Sequence, residues 1–138
     1  MFPSMAKTCF ENEYEINASL RILYPYLNTA GGLSQWYADN VTIDYEKNFI
    51  FHVDGETHKA KIAATRRDQY IRFEYLPENG HDNGGGDPDF MEFSLEKNDF
   101  TDSTFLRIRD CSSEDMEEGE LSEIWDSLIN NLRELVGG

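Results

Sequence analysis

The last third of the chain repeats apolar residues at helical spacing around a tryptophan: Leu121, Ile124, Trp125, Leu128, Ile129, Leu132 and Leu135. Glu120, Glu123, Asp126, Asn130, Asn131, Arg133 and Glu134 fill the intervals. A helix here carries one wide apolar stripe and one solvated face. Such a stripe has to be covered, because apolar surface left in water forfeits about 25 cal/mol per Å². Almost everything before it reads as strand. One helix laid across one curved sheet is therefore the architecture that satisfies this chain.

At 138 residues the chain is long enough for one domain with a real core, spanning 1–138, and too short for two. Nine Phe, seven Tyr and two Trp make that core aromatic. The net charge of −15 argues against nucleic acid and anionic membrane as partners, since both present phosphate. Glu114, Asp115, Glu117, Glu118, Glu120 and Glu123 crowd the start of the long helix. Negative charge is favoured at a helix N-terminus, and the remainder serves solubility. No apolar run reaches the length of a membrane span. Residues 1–7 lack the apolar centre of a signal peptide, so a cytoplasmic location is expected. Cys9 and Cys111 fit a reduced compartment and are too few for a thiolate metal site.

Residues 8–16 alternate: Phe10, Asn12, Tyr14 and Ile16 on one face, Glu11, Glu13 and Glu15 on the other. Asn17 or Ser19 can cap a short helix through Leu20, Ile22, Leu23, Tyr26 and Leu27. Pro25 implies a kink or a second short piece, and Gly31-Gly32 a further break before Leu33, Trp36 and Tyr37. Strands are expected over 41–45 and 48–53. Asp54-Gly55 then reads as a two-residue primed turn. It pairs Val53 with Glu56, Phe51 with His58 and Phe49 with Ala60. A second tight turn at Arg67-Asp68 would pair Ala64 with Ile71, Ile62 with Phe73 and Ala60 with Tyr75. Residues 77–89 read as a mobile loop, followed by strands over 90–97 and 104–110. If the first and last strands pair, the outward Arg107 and Arg109 can lie opposite the glutamates Glu11 and Glu13, and the two cysteines can become neighbours. Nothing crosses over between strands, so the sheet is antiparallel.

This order resembles the helix-grip fold of the START-like superfamily, which includes Bet v 1-type and Hsp90-activator-like proteins. The resemblance rests on Leu33-Ser34-Gln35-Trp36-Tyr37-Ala38-Asp39, on Phe49-x-Phe51-x-Val53-Asp54-Gly55, on Ile71-Arg72-Phe73-Glu74-Tyr75 and on Ile124-Trp125-Asp126-Ser127-Leu128. It covers roughly Thr8 to Leu135 and is nearest to small stand-alone bacterial START-like proteins. It implies an α+β fold: a curved antiparallel sheet of about seven strands around a long C-terminal helix, with two short helices after the first strand. Similar proteins often hold a cavity between sheet and long helix, and many bind apolar ligands there. Others are adaptors or co-chaperones, and some are cyclases. A family-like tryptophan before the hairpin Asp-Gly would stand at position 53, where this chain has Val53.

The candidate cavity lining is Trp36, Phe49, Phe51, His58, Ile62, Phe73, Tyr75, Met91, Phe93, Ile108, Trp125, Leu128 and Ile129. Large side chains can line a pocket or fill it, and both outcomes stay open at this stage. His58, facing inward beside Phe51, is the sharpest polar candidate, as a ligand anchor or as a wet residue at the hairpin rim. Tyr14, Asn12 and Tyr75 are further inward polar groups, each needing a partner if buried. Trp36 and Tyr37 stand where similar folds place a lid over the pocket mouth. His81, Asp82, Asp87 and Asp89 match no calcium spacing, so no metal and no cofactor is expected. No nucleophile–base pair emerges, so no catalytic residue is named. The expected function is non-catalytic binding of a small hydrophobic or amphipathic ligand. The alternative is a co-chaperone-type interaction module with a filled core, meeting a protein partner. The sequence does not name an oligomeric state, monomer or homodimer; an edge strand can pair between copies, but nothing in the sequence calls for it.

Overall fold

The computed structural model describes residues 8–77, 88–112 and 118–137. Most of the expected 77–89 loop, and the segment just before the long helix, lie outside these residues. The elements run β1 (Thr8–Ile16), α1 (Leu20–Asn28), α2 (Ala30–Trp36), β2 (Asn40–Ile43), β3 (Phe49–Val53), β4 (Glu56–Arg66), β5 (Tyr70–Tyr75), β6 (Phe90–Lys97), β7 (Thr104–Ser112) and α3 (Glu118–Val136). The seven strands form one antiparallel sheet in the order β1-β7-β6-β5-β4-β3-β2. The chain is therefore a meander closed by its first strand, with no crossover inside it.

Turn chemistry sets most of the register. Asp54 and Gly55 both take positive φ (50° and 82°), the backbone of a two-residue primed turn, and Val53 pairs with Glu56 as expected. The next turn differs from expectation. It has three residues, Arg67 to Gln69, with Asp68 at φ 60° and Gln69 N–H donating to the Arg66 carbonyl at 2.9 Å. The extra loop residue shifts the ladder by one, so Ala64 meets Arg72 and Thr65 meets Ile71. An irregularity between Ile62 and Ala64 removes the shift, and Ile62–Phe73 and Ala60–Tyr75 then pair as expected. β1 and β7 pair with Glu11 opposite Arg109 and Glu13 opposite Arg107, joined by exposed ion pairs at 3.6 and 3.3 Å. Exposed pairs of this kind contribute little.

Two local readings are corrected. Gly31-Gly32 does not break the chain; both glycines lie inside α2. The break comes at Thr29, whose extended backbone (ψ 151°) ends α1 and whose hydroxyl oxygen accepts from Gly32 N–H at 2.9 Å to cap α2. Pro25 lies within α1 without ending it, and its carbonyl accepts from the Thr29 hydroxyl at 2.7 Å. Cys9 and Cys111, directly opposed across β1 and β7, form a disulfide where a reduced pair was expected.

The core lies between the concave face of the sheet and α3. Phe51, Phe73, Phe93, Ile71, Met91, Leu106 and Ile108 supply the sheet side. Leu121, Trp125, Ile129 and Leu132 supply the helix side, with Trp125 only 1% exposed. The covered stripe is narrower than the periodicity implies, since Ile124 and Leu135 sit on its margins, exposed. Polar straps fix the helix: the Tyr14 hydroxyl donates to Asp126 Oδ1 (2.8 Å), and Arg133 Nη2 to the Glu15 carbonyl (2.9 Å).

On the outer face, Glu92 is buried beneath Tyr70, Arg72 and Arg109. The Tyr70 hydroxyl and Arg72 Nη1 donate to its Oε2, and Arg109 Nη1 to its Oε1 (both arginine contacts 3.1 Å). The Arg72 guanidinium also lies 3.7 Å over the Phe90 ring. Burial pushes the Glu92 carboxyl up, but these donors outweigh it and hold the group below its ordinary value of 4.5. A depressed carboxylate contributes stability above its unfolded pKa, and that contribution is lost as pH falls through the folded value. Glu92→Gln should therefore be less stable at neutral pH by about 1–3 kcal/mol. Its melting temperature should also fall less than the wild type's between about pH 5 and pH 3, measured by calorimetry.

Candidate functional site

The interior beneath α3 is filled by aromatic side chains. Phe49 and Phe73 meet at 5.1 Å between ring centroids, Phe51 and Phe73 at 5.7 Å, and Phe93 and Trp125 at 6.0 Å, all at steep angles. Such tilted contacts are the favourable arrangement for packed rings. Space opens instead at one end of the fold. A half-open cleft of about 450 Å³ lies between the end of α2, the β3–β4 hairpin, β7 and α3. Trp36, Tyr37, Ala38, Val53, Leu121, Ile124, Trp125 and Leu128 give it apolar walls. Gln35, Asp39, Asp54, Asp110 and Asn131 give it a polar rim. Among the described residues that line it, three are carboxylates and none is basic.

Local sequence builds each wall. Tyr37 caps α2, its N–H donating to the Leu33 carbonyl at 2.9 Å, and its ring lies in the fold. There it stacks on Trp125 (5.7 Å, 26°) and meets Phe51 edge-on (5.4 Å, 83°). Trp36, one residue earlier, donates its indole N–H to the Tyr26 carbonyl at 2.9 Å and is buried. The hairpin is pinned to the opposite lip, because Asp54 N–H donates to Asp39 Oδ2 at 2.9 Å. The cleft floor is Trp125. Phe10 lies parallel to its ring (6.3 Å, 5°), and Asp110 Oδ2 accepts its indole N–H at 2.9 Å.

Polar groups reach into this aromatic end. The Tyr37 and Tyr75 hydroxyls lie 3.3 Å apart, and the Tyr75 hydroxyl contacts Met91 Sδ at 4.0 Å. Burial raises the pKa of both tyrosines well above the ordinary phenol value, and the negative charge of Asp110 pushes each further up. Both phenols are thus neutral hydrogen-bonding groups across the physiological range, neither nucleophiles nor bases. Among the described residues, no group of three or more His, Cys, Asp or Glu side chains is placed to hold a metal ion.

The residues named from sequence divide into four groups. Trp36, Trp125 and Leu128 line the cleft. Phe49, Phe51, Phe73, Met91, Phe93, Ile108 and Ile129 lie in the packed core. Tyr75 packs against that core, and His58 sits beside it, ring centroids 6.4 Å apart, with Nε2 3.7 Å from Glu56 Oε1 on the partly exposed hairpin side. Ile62 departs from expectation. Although paired with the buried Phe73, it is exposed (39%), as is the rest of β4 beyond Ala60. Sequence reasoning did not assign Gln35, Asp39, Asp54, Asp110 and Asn131 to the site. Asp110 was the legible one, as the carboxylate that alternation puts on the concave face of an otherwise apolar strand.

The family model of the START-like superfamily domain matches residues 4–138. No curated protein matches. Among solved structures, the Aha1 dimer of Colwellia psychrerythraea shares the fold with TM-score 0.74 at 15% identity, over 94% of this chain and 96% of that one. A Bacteroides fragilis protein solved by NMR is 32% identical, with TM-score 0.59, over 94% of this chain and 91% of its own. A crystal structure from Mesorhizobium loti superposes with TM-score 0.71 at 15% identity, over 94% and 97% of the two chains. With a family model matched across nearly its whole length and the helix-grip sheet and helices in place, the chain belongs to the START-like superfamily.

Proposed function

We propose that this chain is a non-catalytic, cytoplasmic binding protein for a small amphipathic molecule, held in the cleft at the Trp125 end of α3. The observation that supports this most is the cleft itself. Its volume of about 450 Å³ falls within the range of small-molecule sites, and its walls are apolar with a few convergent polar groups. The driving force is removal of ligand and wall apolar surface from water. Because the rings pack closely beneath the middle of α3, we place the ligand at the end of the sheet–helix interface, where the cleft opens. The rim carboxylates Asp39 and Asp54 favour a polar end that donates hydrogen bonds or carries positive charge. The adaptor alternative expects a filled core, which the packed rings beneath α3 match, and the cleft is the feature that favours ligand binding over it.

Val53 supplies the test. It ends β3 on the cleft wall, half-buried, and a larger side chain there occupies the ligand's space. The neutral fluorophore N-phenyl-1-naphthylamine should bind wild type with a Kd in the micromolar range, about −8 kcal/mol. Val53→Trp should weaken it at least about tenfold (1.4 kcal/mol) while far-UV circular dichroism is unchanged. Val53→Ala should retain binding. Dodecylamine should displace the probe more effectively than dodecanoate does, and the difference should persist in Glu13→Gln, whose carboxylate lies far from the cleft on the outer face. Equal binding to wild type and Val53→Trp removes the proposal.

A further inference from the structure

The chain's two cysteines are joined to each other, and the bond sits directly behind the cleft floor. Cys9 opposes Cys111, and the next residues, Phe10 and Asp110, oppose one another in the same ladder. Side chains alternate across a strand, so the cysteines face the outer side and Phe10 and Asp110 face inward. Those two inward residues hold Trp125, one by ring stacking and the other by accepting its indole N–H. Among the described residues, the bond lies in the penultimate pair of the ladder, next to Thr8–Ser112. Strand ends fray unless they are tied, and this tie joins residues 102 positions apart in the chain. Cys9 is exposed whereas Cys111 is 2% exposed, so a reductant reaches the pair from the Cys9 side.

We propose that the Cys9–Cys111 disulfide is a thiol-responsive clasp that sets the order of the Trp125 floor and so the shape of the cleft. A dithiol reductant attacks Cys9 Sγ, forming a mixed disulfide and releasing Cys111 as a thiolate that takes up a proton. The reductant's second thiol then displaces Cys9 and leaves as its own disulfide. Two electrons pass to the protein, and both cysteines become thiols. Without the clasp the end of the edge strand β1 is untied and Phe10 loses its fixed place, while Asp110 stays paired with Met91 of β6. Trp125 then loses its parallel ring partner, and its indole N–H is opened from the β1 side. In a reducing compartment a disulfide is characteristically transient, which suits a responsive rather than a structural bond. The proposal concerns the floor alone and stands whether or not the cleft binds an amphiphile.

The two indole N–H groups provide the test within one molecule. Trp125 donates to Asp110 beside the clasp, and Trp36 donates to the Tyr26 carbonyl remote from it. Hydrogen exchange of both indole protons is followed by NMR on the full chain, air-oxidised and then treated with dithiothreitol, with thiol formation verified by mass. On reduction the Trp125 proton should exchange at least about tenfold faster while the Trp36 proton changes less than about twofold, as expected of local opening. A Cys9→Ser, Cys111→Ser variant should show the reduced pattern without reductant. Two free thiols in the oxidised protein, unchanged exchange at Trp125, or equal acceleration at both indoles would each overturn the proposal.

Discussion

Replacing Trp125 by alanine is expected to cost about 3–5 kcal/mol, the range for deleting a large buried aromatic. The ring is 1% exposed and contacts Phe10, Trp36, Tyr37 and Phe93, drawn from β1, α2 and its capping residue, and β6. Trp36, Tyr37 and Phe93 are each held by another ring and cannot swing into that volume. The indole N–H bond to Asp110 is lost as well. Domains of this size are stable by only about 5–15 kcal/mol, so the variant should melt more than about 10 °C below wild type. Trp125→Phe separates the two contributions. It keeps most ring contacts and loses the hydrogen bond, and should cost about 1–2 kcal/mol. Urea denaturation of the three proteins checks the order, and an alanine variant as stable as Trp125→Phe would contradict it.

Gly32 and Gly31 are adjacent in one helix, yet alanine at the two sites should act in opposite directions. A Cβ on residue 32 would lie 2.1 Å from the Pro25 carbonyl oxygen and 2.6 Å from Tyr26 Cα, both backbone atoms of α1. Neither can rotate away, so α1 and α2 must separate, and Gly32→Ala should destabilise by about 2–4 kcal/mol, at or beyond the usual cost of overpacking. A Cβ on residue 31 meets nothing within 4 Å. Gly31→Ala therefore gains helix propensity alone and should stabilise by about 0.5–1 kcal/mol. Thermal melts of the two single variants settle the sign. Destabilisation at both positions would show that α2 tolerates no added side chain for reasons other than this close approach.

The same glycine pair shows where the sequence could and could not be read. A Gly-Gly pair reads locally as a breaker, but the close approach of α1 that requires Gly32 is a tertiary contact with no local signal. Asp54-Gly55 was legible because its positive φ angles are a local steric demand, and a correct hairpin carries its register outward to Phe49–Ala60. Arg67-Asp68 lacks a glycine, so loop length was ambiguous by one residue, and the compensating irregularity near Ile62 left no mark in a stretch where Ile62, Ala63 and Ala64 are all apolar. The pairing of β1 with β7 is only a condition at the level of sequence; once met, it brings Cys9 to Cys111, although nothing in the spacing shows whether two adjacent sulfurs are bonded. The site was the least legible part. Alternation identifies which side chains face inward, but whether aromatic rings fill a space or line it depends on their packing angles. The cleft emerged where the ring stack ends, among polar rim residues that carry no periodic pattern.

The central claim is that the opening walled by Tyr37, Val53, Trp125 and Leu128 is the place where this START-like chain meets its ligand. A nitrogen-resolved NMR titration of the full chain with N-phenyl-1-naphthylamine tests it most directly. The account predicts saturable shifts at the Trp125 indole, the Gln35 and Asn131 side-chain amides and the Asp54 backbone, with the amides of Phe73 and Met91 in the sheet centre unmoved. No perturbation up to about 1 mM probe, or shifts centred on the buried sheet instead of that opening, would contradict it.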